Sequence, residues 1–211
     1  MKKKRVRFYL PVFISVILFD WMMIQIVRSA AGDGSVSEEK EQLIVQEMKY
    51  FPVVVSADEI LSFDFADTWL ADRTYGGERS HEGCDIIMSE DTRGIYPVVS
   101  MTDGVIEAIG WLRLGGYRIG IRSSGGIYYY YAHLESYAAD LKNGQEVSAG
   151  QFLGFAGDSG YGEEGTVGQF AVHLHIGIYV PDADGEDAAV NPFPYLEAVR
   201  ENVITAEYGS P

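Results

Sequence analysis

The chain contains very little cysteine and very little histidine. Its only cysteine in 211 residues is Cys84. No internal disulfide can therefore staple the fold, and we expect this side chain to pack inward as a small apolar group. There are four histidines and no H-E-x-x-H segment, which excludes a zinc site built on that helical motif. No internal repeat and no low-complexity tract is present, so the sequence predicts one ordinary domain with short extensions.

Basic residues are scarce outside the amino-terminal end. Lys and Arg number 16 against 31 Asp and Glu. Six of the basic residues and one acid, Asp20, fall within the first 28 positions, which leaves 10 basic and 30 acidic residues and a net charge of −20 for the rest. Such an acidic surface argues against nucleic acid as a partner.

One long apolar run is present, from Phe8 to Val27. Its 20 residues are enough to cross a bilayer as a helix, although Asp20 lies within them. The basic residues before it favour a cytoplasmic amino terminus. We therefore expect residues 1–28 to be a basic segment and single-pass membrane anchor, with the rest of the chain outside the cytoplasm. The alternative is a signal peptide cleaved near Ser29-Ala30-Ala31, which would release a secreted protein.

The segment after the apolar run begins with small residues and then becomes helical in pattern. Leu43, Ile44 and Met48 would share one side of a short amphipathic helix. We expect residues 29–50 to form a linker or stalk between membrane and domain; the alternative is a helix that binds a partner.

From residue 51 to residue 200 the sequence consists of short β-like runs separated by glycine turns. "YPVVSMTDGVIEAIG" reads as a strand, an Asp103-Gly104 turn and a second strand, and "YRIGIRSSGGIYYYYAHL" reads as a hairpin. Only "NPFPYLEAVREN", which begins at Asn191, predicts a helix near the end, starting after Pro192 and Pro194. The prediction is a single antiparallel, all-β domain over residues 51–200, followed by a tail over residues 201–211.

Two of the four histidines lie in one apolar run, "AVHLHIGIYV". On a strand, His173 and His175 project from the same face because residues i and i+2 share a side. His81 and Asp85 are four positions apart and also share a face in extended structure, with Gly83 between them. These side chains are the types that bind zinc, so the pattern predicts a metal site.

The coordination of a catalytic zinc suggests which candidate residues are ligands and which transfer protons. Such an ion takes three protein ligands and keeps a fourth position open. His81, Asp85 and His175 would supply the three ligands. His173, together with His133 at the end of the tyrosine run, would be left to transfer protons near neutral pH.

Three motifs in this order resemble the lysostaphin/LytM-type zinc metallopeptidases: His81-x-Gly83-x-Asp85, Tyr-Ala-His133-Leu and His173-Leu-His175. The likeness extends over residues 61–196 and includes the connecting segments "LKNGQEVSAGQFLGFAGDSG" and "VNPFPYL". The resemblance implies a β-sheet groove floored by one Zn²⁺, in a domain with a duplicated hybrid motif. It also implies that His81, Asp85 and His175 are the ligands and that His133 and His173 are catalytic.

The function implied by this resemblance is hydrolysis of peptide bonds in peptidoglycan stems or cross-bridges. Together with the apolar run, it predicts a membrane-anchored zinc metalloendopeptidase that remodels the cell wall. One alternative is a scaffold or activator that uses the same fold to bind a cell-wall hydrolase or membrane partner, although no motif position is missing here. Another is a zinc peptidase that acts on a protein substrate.

Three further residues are candidates for binding substrate. Arg79 has the strand parity of His81 and would contact a substrate carboxylate or brace a ligand; a surface salt bridge is the alternative. By strand parity, Tyr129 and Tyr131 would share the side of His133 and line the groove. The loop "SGYGEEGTVGQFAVHLH" is longer than its counterpart in the family and carries two glutamates, so a preference for glycine bridges is not assumed.

Overall fold

A computed structural model describes residues 36–57, 61–75, 77–182 and 184–207. Two helices lie in these segments, α1 (Glu38–Glu47) and α2 (Phe193–Ala198). The strands in chain order are β1 (Val55–Ser56), β2 (Phe63–Phe65), β3 (Asp72–Arg73), β4 (Arg79–Ser80), β5 (Cys84–Met88), β6 (Pro97–Val99), β7 (Gly104–Leu112), β8 (Gly116–Arg122), β9 (Tyr128–Tyr137), β10 (Glu146–Val147), β11 (Phe152–Ala156), β12 (His173–Pro181), β13 (Asp187–Val190) and β14 (Thr205–Ala206).

Ten strands form one sheet whose central order is β10-β7-β8-β9-β12-β5-β2. Strand β11 joins this order by pairing with β9, and β6 is attached by pairing with β11. Strand β13 joins by pairing with β12. Every pairing within this sheet is antiparallel. The prediction of an antiparallel β domain is therefore confirmed.

The core lies under one face of this sheet. In β9, Tyr129, Tyr131 and Leu134 are fully buried, and Leu174 and Ile176 of the neighbouring β12 are fully buried as well. β-Branched and aromatic side chains suit such a half-buried pleated surface. The opposite face of the same strands is left to form a groove.

The predicted hairpin between β8 and β9 is present, with Arg122 paired to Tyr128 at its closed end. The strands on either side of Asp103 are also present, but they do not pair with each other. Strand β6 pairs with β11, whereas β7 pairs with β8 and β10. The Asp103-Gly104 turn thus connects two strands that pair with different neighbours in the sheet.

Helix α1 packs against the β domain. The side chain of Ser37 caps it by accepting a hydrogen bond from the Lys40 backbone N–H. Ile44 is fully buried and Met48 nearly so, and both belong to the main core. The Glu47 carboxylate accepts hydrogen bonds from the Gly125 backbone N–H at 3.0 Å and the Tyr129 hydroxyl at 3.3 Å.

The amphipathic helix predicted around Ile44 is therefore present, but residues 36–50 are not a free stalk. The apolar side that the pattern indicated is covered by the domain itself. Residues 29–35 lie outside the described residues. The helix predicted near the end of the domain is present as α2. Beyond it, Thr205–Ala206 pairs in parallel with Val55–Ser56, so this part of the predicted tail belongs to the domain.

The predicted membrane anchor over residues 1–28 lies outside the described residues. Within the described ranges, no helix has the length and hydrophobicity needed to cross a membrane.

The docking of α1 can be tested by core truncation. We expect Ile44→Ala to lower the free energy of unfolding by about 2–5 kcal/mol because it removes a buried side chain from the main core. The control is Gln46→Ala on the exposed side of the same helix, which should change it by less than about 0.5 kcal/mol. Chemical denaturation measures both, and equal small effects would contradict the docking.

Candidate active site

A groove of about 700 Å³ runs across the face of the sheet opposite the core. It contains the five predicted metal and catalytic residues, His81, Asp85, His133, His173 and His175. Side chains of β3, β4, β8, β9 and β12 form most of its lining. The structure thus brings together every residue of the predicted metal and catalytic sets.

Three ligand atoms meet at one point of the groove. His81 Nε2 is 3.1 Å from Asp85 Oδ1 and 3.0 Å from His175 Nδ1, and His175 Nδ1 is 2.9 Å from Asp85 Oδ1. In a tetrahedral zinc site with bonds of about 2.0–2.1 Å, ligand atoms lie about 3.3 Å apart. The donor types and the size of this triangle therefore fit zinc. It is the single cluster of metal-binding side chains found within the described residues.

The sheet register creates this triangle. Asp85 on β5 lies directly opposite His175 on β12, and His81 enters the site just before β5 begins. Gly83 makes room for the ring of His175, because a Cβ atom at this position would lie 2.2 Å from His175 Cε1. A side chain larger than hydrogen at residue 83 would therefore displace a ligand.

Neighbouring groups orient two of the ligands. The backbone carbonyl of Thr68 accepts a hydrogen bond from His81 Nδ1 at 3.0 Å, which leaves Nε2 free for a metal. Arg73 Nη2 donates to Asp85 Oδ2 at 2.7 Å, so the other oxygen, Oδ1, is the one directed at the two histidines. Such outer partners hold ligands in place and tune metal affinity.

The surroundings of Asp85 and His175 favour the protonation states that metals require. Burial alone would raise the pKa of Asp85, but hydrogen bonds from His175 and His81 hold it well below its usual range. Burial also lowers the pKa of His175. Because a metal binds the carboxylate and the neutral imidazole, the site favours metal over protons.

His133 and His173 stand beside the triangle with their ring centroids 4.7 Å apart. His133 Nδ1 donates to the Ser159 carbonyl at 2.7 Å, and His173 Nδ1 donates to the Ala171 carbonyl at 2.8 Å. Each ring therefore keeps its Nε2 available for proton transfer. Burial, and then the nearby His173, lowers the pKa of His133 well below its ordinary value, so this imidazole is neutral.

A β-bulge in β9 aims His133 into the groove. Tyr117 and Ile119 of β8 pair with Leu134 and Tyr131 of β9, so β9 carries one extra residue between these pairs. His133 has a φ of 62°, in the left-handed region. Bulges of this kind locally reverse the alternation of side chains along a strand.

The prediction that Tyr129 and Tyr131 line the groove is wrong. Both are fully buried in the core; the Tyr129 hydroxyl donates to Glu47, and the Tyr131 hydroxyl accepts from the Met101 backbone N–H at 2.8 Å. The bulge at His133 breaks the parity on which the prediction depended. The residues of β9 that line the groove are Tyr128, Tyr130, Ala132 and His133.

Arg79 lies in the wall of the groove, as predicted, but it does not contact a ligand. Its guanidinium donates to the Tyr161 hydroxyl at 3.0 Å, and the Tyr161 ring stacks on Tyr75 with centroids 4.2 Å apart. The arginine that supports a metal ligand is instead Arg73, which pairs with Arg79 in the β3–β4 register and donates to Asp85. A role of Arg79 in substrate binding stays a prediction.

Cys84 points away from the groove and is fully buried, which confirms the prediction from its strand parity. Burial raises the pKa of its thiol to about 12. Such a thiol is inert as a nucleophile.

Sequence reasoning missed Thr68 and Arg73 as ligand supports and Arg118 as a residue of the groove. The contacts of Thr68 and Arg73 join segments that are distant in the chain, and no local pattern marks them. A local signal for Arg118 was present: it alternates in β8 with Ile119 and Ile121, which are buried in the core, so its side chain lies on the opposite, groove-lining face.

An antiparallel β domain with a candidate histidine and aspartate metal site in its groove, beside two further histidines, has the arrangement that a metal-dependent hydrolase requires. Comparison with known sequences gives the family. The chain belongs to peptidase family M23, whose profile matches residues 79–192.

Relatives of known name agree with this assignment. The L-Ala–D-Glu endopeptidase of Bacillus subtilis (strain 168) is 42% identical over 148 residues, which cover 70% of this chain and 43% of that protein. Glycyl-glycine endopeptidase ALE-1 of Staphylococcus capitis is 32% identical over 133 residues, covering 62% of this chain and 31% of that protein. The chain therefore spans less than half the length of these relatives.

A solved structure from Ruminococcus gnavus ATCC 29149, assigned as a glycyl-glycine endopeptidase lytM, has the same fold. It shares 48% identity with this chain at a TM-score of 0.73, and the match covers 82% of this chain and 68% of that one.

The role of Arg73 as a ligand support can be measured directly. We expect Arg73→Met to weaken zinc affinity by about 10- to 100-fold, because Asp85 Oδ2 loses its partner. Arg79→Met is the matched control: it removes the same charge from the paired strand, contacts no ligand, and should leave zinc affinity unchanged. Competition with a chromogenic chelator measures both, and equal affinities in the two variants would contradict this role.

Proposed function

We propose that this protein is a membrane-anchored zinc endopeptidase that hydrolyses peptide bonds in peptidoglycan stems or cross-bridges. The observation that carries the proposal is the meeting of His81 Nε2, Asp85 Oδ1 and His175 Nδ1 in an open groove beside two unligated histidines. Family membership and the names of the relatives support the choice of peptide bonds in the cell wall.

Zinc, when bound by His81, Asp85 and His175, would act as a Lewis acid toward the scissile carbonyl and lower the pKa of an attacking water. His133 is neutral and keeps its lone pair on Nε2, so it is suited to accept the proton of that water. His173 presents a second Nε2 close by, so the proton taken up by His133 would pass to the leaving amine directly or through this nitrogen. The groove wall of Tyr161 and Phe170 packs on the His133 ring and limits its movement.

The proposal is tested by incubating the full chain with purified peptidoglycan and analysing the released fragments by mass. We expect new amine termini that appear with zinc and disappear with a chelator. His133→Ala should retain zinc but lose about 10²- to 10⁴-fold in rate, because only the proton transfer is removed. Wild-type rates from His133→Ala would contradict this role, and the absence of any released peptide from the zinc-loaded protein would contradict the function.

We also propose that residues 1–28 anchor the protein in the cell membrane with its peptidase domain outside the cytoplasm. The basic cluster followed by 20 mostly apolar residues supports this orientation. We expect the chain to sediment with membranes and its domain to be digested by protease added to intact spheroplasts. A shortened protein in the medium that begins near Ala31 would instead indicate a cleaved signal peptide.

A further inference from the structure

The groove contains one arginine with a guanidinium nitrogen that has no hydrogen-bond partner among the described residues. Three arginines line it: Arg73 donates to Asp85, and Arg79 donates to Tyr161. The Nη1 atom of Arg118 is shielded from solvent and has no hydrogen-bond partner among the described residues. An unpaired, shielded guanidinium nitrogen is costly, so this position calls for an acceptor from outside the chain.

Arg118 stands next to the proposed proton-transfer residue. It is the single residue of β8 that lies opposite the two bulge residues of β9, Ala132 and His133. Adjacent strands are about 4.8 Å apart, so the base of Arg118 lies one strand spacing from His133. Both residues line one groove, so a substrate that extends along it from His133 comes within reach of Arg118.

The acids near this end of the groove do not neutralise Arg118. Glu107 and Asp187 line the same groove, but both are occupied by Arg122. Arg122 Nε donates to Glu107 at 2.6 Å, and its Nη2 donates to Asp187 at 2.7 Å. The positive charge of Arg118 is thus available, in a chain whose net charge is −15.

The backbone of Arg118 is held independently of its side chain. Its N–H donates to the Tyr137 hydroxyl at 3.0 Å, and that hydroxyl donates to its carbonyl at 3.2 Å. A change of the side chain at this position therefore leaves the strand anchored. Aromatic rings of Tyr128 and Tyr130 line the groove on the neighbouring strand.

We propose that Arg118 binds a free carboxylate of the substrate, next to the bond that is cut, and thereby selects stem peptides over glycine cross-bridges. This inference rests on the proposed function. A glutamyl residue keeps one free carboxylate whichever of its carboxyl groups forms the peptide bond, whereas a glycine bridge has none. The guanidinium fork matches a carboxylate in geometry and charge.

The test compares two stem peptides, a tetraglycine peptide and four proteins. The stem peptides are an acylated L-Ala–D-Glu–L-Lys stem peptide and the same peptide with its free D-Glu carboxyl group amidated. The proteins are the full-length wild type, Arg118→Gln, Arg118→Lys and Arg113→Gln. Arg113 is the matched control, since its side chain is 75% exposed, pairs with Glu163 and lies outside the groove lining.

We expect the wild type and Arg113→Gln to prefer the carboxylate peptide by at least about 30-fold in kcat/KM, because amidation leaves the guanidinium unpaired. Arg118→Gln should cut both peptides at similar rates. Arg118→Lys should keep part of the preference, since it supplies a charge without the fork. A purely structural role of Arg118 would lower activity on both peptides and leave the preference unchanged.

Retention of the full preference by Arg118→Gln, in a protein that still cuts peptidoglycan, would overturn this inference alone. Equal cleavage of the carboxylate peptide and a tetraglycine peptide by the wild type would overturn it as well. A zinc-loaded wild type that releases nothing from peptidoglycan or either peptide would overturn the proposed function too. If thermal unfolding shows that Arg118→Gln is not folded, Arg118→Lys takes its place in the test. A preference of Arg118→Lys for the carboxylate peptide as large as that of the wild type would then overturn the inference.

Discussion

The antiparallel register of β5 and β12 is the constraint on which the site depends. It sets Asp85 opposite His175, so that a carboxylate oxygen and an imidazole nitrogen lie 2.9 Å apart before any other contact is made. His81 then completes a triangle whose geometry suits a divalent cation. A one-residue slip between these strands would turn Asp85 or His175 toward the core, where neither charge nor metal could be accommodated.

The second constraint is the bulge in β9. A residue such as His133 in the left-handed region costs about 1–3 kcal/mol. Here the cost is offset by two hydrogen bonds: the His133 backbone N–H donates to the Gly115 carbonyl at 2.8 Å, and its ring donates to Ser159. Because of the bulge, two successive residues of β9, Ala132 and His133, both line the groove. The residues on either side of them, Tyr131 and Leu134, are both buried in the core. Core packing and catalytic geometry therefore depend on the same backbone irregularity.

This irregularity also explains which features could be predicted from sequence. Strand parity correctly united His173 with His175, because both lie within β12 without an extra residue between them. His81 lies between β4 and β5, so its meeting with Asp85 depends on the path of this connection and not on strand alternation. Parity failed for Tyr129 and Tyr131 because one extra residue separates them from His133 in the ladder. The antiparallel β domain followed from local runs and turns. The docking of α1 and the partner of Asp85 depend on contacts between distant segments, which no local pattern records.

Under the proposed role of Arg118, the arginines of the groove explain how a strongly acidic chain would bind a substrate that carries a carboxylate. Arg122 holds Glu107 and Asp187, and its hydrogen bonds to them are the main reason that the pKa of each carboxyl is lowered, so both acids stay ionised and paired. Without Arg122, these two carboxylates would face Arg118 across the groove and compete with any incoming carboxylate. Because Arg122 pairs with both carboxylates, they do not neutralise Arg118. The binding charge is thus created as much by pairing the nearby acids as by placing an arginine.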